Sequence, residues 1–146
     1  MIDRMFHQTL AFFSEQFQIE LPQKSLEEGN VTLRLDTMDV LLKKGMEEGA
    51  LCMEIRLGFL LAPLDEEQLK TLVTANFLGV GTLGCALALE SSTGLLSLKI
   101  VTSPGTSTSE NWDWLHRLLF VANNWAQKTQ EWAMFLSLIT PSRTNI

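Results

Sequence analysis

The chain has only two cysteines, Cys52 and Cys85, and they form no C-x-x-C and no Cys/His cluster. That excludes a disulfide scaffold and a recognisable zinc site, and it fits a reducing compartment. Positive charge is scarce as well: eleven Lys and Arg stand against seventeen Asp and Glu, for a net charge of −6. No third of the sequence carries a positive balance, so both a nucleic-acid footprint and a polybasic membrane patch are missing. No apolar run of full membrane length occurs. The longest charge-free stretch, residues 71–89, is interrupted by Thr71, Thr74, Asn76, Thr82 and three glycines, so a membrane span is not expected. Met1-Ile2-Asp3-Arg4 opens an amphipathic pattern rather than the charged start and apolar core of a secretory signal. What is present is 46% apolar and 19% charged residues over 146 positions, the composition of one folded cytoplasmic domain covering residues 1–146.

The periodicity gives the element order. Phe6, Leu10, Phe13 and Phe17 recur at helical spacing, widened by Met5 and Phe12, and Pro22 blocks continuation. After a polar turn through Glu27, Glu28 and Gly29, the period changes to two. Val31, Leu33 and Leu35 alternate with Thr32, Arg34 and Asp36 as a half-buried strand. Val40 to Lys44 reads as a second strand. Leu51, Met53, Ile55, Leu57 and Phe59 form one face of a third, the clearest in the chain. Asp65 with Gln68 has the form of a capping box opening a second helix, with Glu66 and Glu67 at its positive end. Its stripe runs Leu69, Leu72, Val73, Asn76 and Phe77, and Gly79 is placed to end it. A hairpin follows, Cys85–Glu90 and Leu95–Val101. A long helix is then expected from Ser109 to Leu138, on the spacing of Trp112, Leu115, Leu119, Ala122, Ala126, Thr129, Ala133 and Leu136. The predicted order is α-βββ-α-ββ-α: an α+β fold, an antiparallel twisted sheet packed by N- and C-terminal helices.

No motif for chemistry survives its context. Gly79-Val80-Gly81-Thr82-Leu83-Gly84 is a literal G-x-G-x-x-G, but a helix enters it and a strand leaves it, the reverse of a dinucleotide loop. His7 and His116 lie on the first and last helices without partners at a diagnostic spacing. The pairs Glu27-Glu28, Glu47-Glu48 and Glu66-Glu67 are adjacent in sequence, and adjacent carboxylates do not converge on a substrate. No enzyme activity and no cofactor is expected. The apolar surplus of the first helix and of residues 69–89 exceeds what one five-stranded sheet under a long helix hides. Surplus of that kind marks interaction surfaces.

The order of these elements, with Leu64-Asp65-Glu66-Glu67 opening the second helix, Leu72-Val73-Thr74-Ala75-Asn76-Phe77-Leu78 running into Gly79-Val80-Gly81, the hairpin from Leu83 to Val101 and a terminal helix with Trp125, resembles the class I chaperones of bacterial type III secretion, the Tir-chaperone-like family. The resemblance covers residues 3–138. It implies a cytoplasmic bacterial dimer, either a homodimer or a heterodimer with a second small chaperone. Such a dimer binds the N-terminal segment of a secreted effector or gatekeeper protein in extended form and keeps it secretion-competent. By the same resemblance, Leu69, Leu72, Val73, Asn76, Phe77 and Leu83 lie at the dimer interface. Phe6, Leu10, Phe13 and Phe17, with Val31, Leu33 and Leu35, supply the effector-binding groove or the core beneath it. The alternative is a non-chaperone subunit of a hetero-oligomeric regulatory complex of the secretion system. A small-ligand domain using the Gly79–Gly84 loop is a further contrast.

Overall fold

Alternating burial along the strands and a buried stripe on each long helix divide the chain into two layers. The computed structural model describes residues 4–35, 37–76, 82–132 and 135–138. In chain order the elements are α1 (Arg4–Phe17), α2 (Gln23–Glu28), β1 (Asn30–Leu35), β2 (Met38–Lys44), β3 (Leu51–Leu60), α3 (Glu66–Asn76), β4 (Ala86–Leu89), β5 (Leu95–Val101), α4 (Thr108–Trp132) and β6 (Phe135–Ser137). The sheet is antiparallel in the order β1-β2-β3-β5-β4, and β6 pairs with β3 off this path. Helices α1 and α4 pack on each other and cover one face, where Phe6, Leu10, Phe13, Leu33, Leu42, Met53, Ile55, Leu98 and Leu115 form the core.

Local chemistry sets the helix ends as their sequences require. Asp65 and Gln68 form a reciprocal capping box: the Gln68 amide donates to Asp65 Oδ1 at 2.8 Å, and the Asp65 amide to Gln68 Oε1 at 3.0 Å. Ser107 and Glu110 repeat it at the start of α4, with the Glu110 amide donating to Ser107 Oγ at 3.1 Å. Thr9 and Asn111 are both fully buried and tie α1 to α4, Asn111 Nδ2 donating to Thr9 Oγ1 at 3.4 Å. Gly84 has φ +94°, and a side chain there would press on the Trp114 ring. Gly79 and Gly81 lie outside the described residues.

Three expectations are corrected. Pro22 does more than stop α1: it starts the short helix α2, the Leu26 amide donating to the Pro22 carbonyl, where the sequence pattern suggests a plain polar turn. The last helix stops at Trp132 instead of Leu138. Residues Phe135–Ser137 return as β6, which pairs with Gly58–Leu60 beyond the point where β2 ends its pairing with β3. An uncharged apolar run keeps helical spacing whether or not it is helical, and the unpaired edge of β3 decides the matter. Finally, the alternation of β3 breaks. A bulge between Arg56 and Gly58 adds one residue, so Phe59 leaves the buried row and turns to the other face of the sheet. There it lines a pocket with Thr32, Leu41, Glu54 and Arg56.

Candidate functional site

Nothing among the described residues assembles a reaction centre. No three His, Cys, Asp or Glu side chains are grouped as metal ligands there. Burial pushes the Cys85 thiol up to about 11, against a smaller downward pull from Arg117. The Cys52 thiol is raised too, first by burial and then by Glu54, with Lys43 and Lys99 opposing. Both therefore stay protonated near neutrality, the form that does not attack electrophiles. His116 is exposed against Trp112, and His7 meets the edge of Phe6. No helix among the described residues is long and apolar enough to cross a membrane.

Surfaces are a different matter. Helix α3 turns Leu72 and Ala75 into the core beside Leu87, while Leu69 and Val73, one turn apart, stand 47% and 69% exposed. Leu83 follows at 49% and Leu89 at 37%. Of the six residues expected at a dimer interface, Leu69, Val73 and Leu83 are thus open apolar side chains. Leu72 is buried within the chain, and Phe77 lies outside the described residues. Asn76 braces β4 instead, its carboxamide gripping the backbone of Leu87 in both directions at 2.8 Å.

The seven residues expected to meet an effector are placed more deeply. Leu35 is buried but reaches the wall of a groove, whereas Phe6, Leu10, Phe13, Val31 and Leu33 are buried in the core, the second of the two roles left open for them. A side chain closed off on every side cannot touch a partner without unpacking the domain. Phe17 differs. It is half-buried at the end of α1 and opens into a groove of about 530 Å³ whose other apolar walls are Ile19, Leu35, Met38, Leu119 and Phe120, with Arg34 and Asn123 at the rim. Phe120 is 61% exposed. It sits one position after Leu119, off the buried stripe of α4, and an isolated Phe on an otherwise polar helix face was the signal available for it.

The groove lies at one end of an open sheet edge. The Lys44 amide donates to the Gly29 carbonyl, and the antiparallel ladder then bonds Val31, Leu33 and Leu35 to β2 in alternation. The backbone groups of Asn30, Thr32 and Arg34 point away from β2, and no described residue bonds to them. On the uncovered face of the sheet, buried Glu54 is held between Lys99 Nζ at 3.5 Å and Arg56 Nε at 3.8 Å. That pairing offsets part of the cost of burying its carboxylate.

Comparison with known proteins bears on the family and the fold. A chain of the HopA1–SchA chaperone–effector complex superimposes with a TM-score of 0.66 at 17% identity, over 86% of this chain and 95% of that one. A chain of the ExsC–ExsE complex gives 0.66 at 21% identity, over 86% and 94%. One from the heterodimeric ExoU–SpcU complex of the Pseudomonas aeruginosa type III secretion system gives 0.61 at 17% identity, over 97% and 100%. At these identities the likeness is one of fold. No curated protein matches by sequence. The model of the Tir chaperone protein (CesT) family matches residues 8–111, most of the chain, from within α1 to the first turn of α4, and the chain belongs to that family.

Proposed function

We propose that this protein is a cytoplasmic type III secretion chaperone. It binds the N-terminal segment of a secreted effector or gatekeeper protein in extended form, without turnover, and holds it ready for export. The observation that carries the reading is the open β1 edge running into the Phe17–Phe120 groove. An extended segment adds to Asn30, Thr32 and Arg34 through its backbone, and a large apolar side chain at its end enters the groove. The edge supplies affinity that depends little on sequence, and the groove supplies the preference. Family membership supports it, as does the fold shared with a chain of a chaperone–effector complex and with one of a type III secretion heterodimer.

The exposed face of α3, with Leu69, Val73 and Leu83, is the surface through which a second subunit joins, either another copy or a second small chaperone. Burying each of these side chains contributes roughly 1.5–3 kcal/mol, and leaving them in water gives nothing back. Phe6, Leu10, Phe13, Val31, Leu33 and Leu35 serve the site by making the wall behind β1 rigid.

The test is co-expression with N-terminal segments of secreted proteins encoded beside the chaperone, followed by capture and limited proteolysis. The expected result is a stable complex in which the first part of the segment resists cleavage. Capture of none of them, by a chain that is folded and dimeric, overturns the reading in favour of a non-chaperone regulatory subunit.

A further inference from the structure

The two outer strands of this sheet are finished differently. On β1 three consecutive outward-facing residues leave their backbone groups without a partner among the described residues. On β4 the same positions are occupied. The Glu90 amide donates to the Leu95 carbonyl, which fixes the phase of the β4–β5 ladder: Ala86 and Ala88 bond to β5, while Cys85, Leu87 and Leu89 turn outward. The Cys85 amide donates to the Thr82 carbonyl, and its own carbonyl accepts from Thr82 Oγ1. Leu87 is met by Asn76. Its amide donates to Asn76 Oδ1 at 2.8 Å, and its carbonyl accepts from Asn76 Nδ2 at 2.8 Å.

One carboxamide therefore reproduces both bonds that a neighbouring strand would make at that residue. Of the outward positions only Leu89, at the hairpin end, has no partner among the described residues, and one residue does not hold a register. A four-residue edge with two exposed leucines near it, Leu83 and Leu89, is the kind of edge that otherwise recruits another chain.

We propose that Asn76 is an edge-closing residue. With Thr82, it seals β4 against strand addition by a second copy of this chain and leaves β1 as the acceptor for cargo. The inference rests on the reading that cargo joins the sheet as a strand, and it deepens it: the site is selected by closing its competitor. The role also explains an Asn at the end of α3, where helix propensity alone favours other residues.

The chain alone provides the test. In Asn76→Ala, the Leu87 amide exchanges with solvent at least about tenfold faster than in the wild type, the factor that one lost hydrogen bond gives, while the Leu98 amide in β5 keeps its protection. The same variant self-associates beyond the wild-type assembly in sedimentation velocity. Adding Leu89→Pro, which removes an outward amide and no bond to β5, returns it to the wild-type mass. Asn76→Asp keeps the acceptor for the Leu87 amide and loses the donor, so it protects that amide while still opening the edge carbonyl. It serves as the test variant if the alanine variant does not fold. Unchanged exchange at Leu87 in Asn76→Ala, or unchanged association in a folded variant, overturns the proposal. Neither measurement uses cargo, so a failure to capture a secreted segment leaves this result standing, and the reverse also holds.

Discussion

Helices α1 and α3 both carry an apolar stripe, and the protein uses them in opposite ways. On α1, Phe6, Leu10 and Phe13 are closed off in the core that α1 shares with α4 and the sheet. On α3, Leu72 and Ala75 face inward, and Leu69 and Val73 remain in water at 47% and 69% exposure. A stripe states that a helix has something to bury and is silent on what buries it. Here the partner decides. Helix α1 has α4 and the large core that both share with the sheet, whereas α3 packs on the short strand β4. Half of its stripe therefore stays in water in a single copy of the chain.

That difference can be broken from either side, and the largest effect belongs to α1. Replacing Phe13 by Ala empties a fully buried position and costs about 3–5 kcal/mol, read as a lower denaturation midpoint. The same truncation at Val73 lowers the stability of a single chain by no more than about 0.5 kcal/mol. An intermediate effect belongs to the groove. Phe120→Ala leaves stability within about 0.5 kcal/mol and weakens a captured segment about tenfold, the loss of part of one buried aromatic. A titration of captured complex against free segment measures it. If Phe120→Ala lowers the denaturation midpoint as far as Phe13→Ala does and leaves binding intact, the groove belongs to the core after all.

The smallest effect near neutral pH lies at Cys85, at the start of the β4–β5 hairpin. Burial lifts its thiol from the ordinary 9.0 to about 11. The folded state then holds its proton more tightly than the unfolded state. The stability this lends is complete below about pH 9 and is lost as the pH rises from about 9 to about 11. Cys85→Ser removes that part of the slope in a pH series of denaturation midpoints. A slope unchanged by the substitution would show that water reaches this end of the core.

The places where the sequence is legible share a cause. The capping box at Asp65 and Gln68, the α1 stripe and the strand alternation at Val31, Leu33 and Leu35 are local patterns, and local geometry satisfies them. The β6 strand is not legible, because Phe135–Ser137 follows the helical spacing of α4 and turns aside only to satisfy an edge of β3 distant in sequence. Alternation places Phe59 on the wrong face because one extra residue at the bulge reverses every side chain after it. Asn76 falls within an apolar stripe, and no sequence signal shows that its amide meets Leu87 across eleven residues. For the candidate site, the exposed half of the α3 stripe is visible in outline. The β1 edge and Phe120 are not, because an open edge is a property of strand order, which the sequence leaves unstated.

The central claim is that the open half of the α3 stripe is a subunit interface and not part of the folding core. Sedimentation velocity of Val73→Asp beside the wild type, with circular dichroism on both, tests it most directly. The account predicts a wild-type assembly of two subunits at micromolar concentration. It predicts a variant with the wild-type spectrum that sediments as a single 16.4 kDa chain, its association weakened by at least about a hundredfold, because a carboxylate at the centre of an apolar interface has no partner. A wild type that sediments as one chain, or a Val73→Asp variant that keeps the wild-type mass, would contradict it.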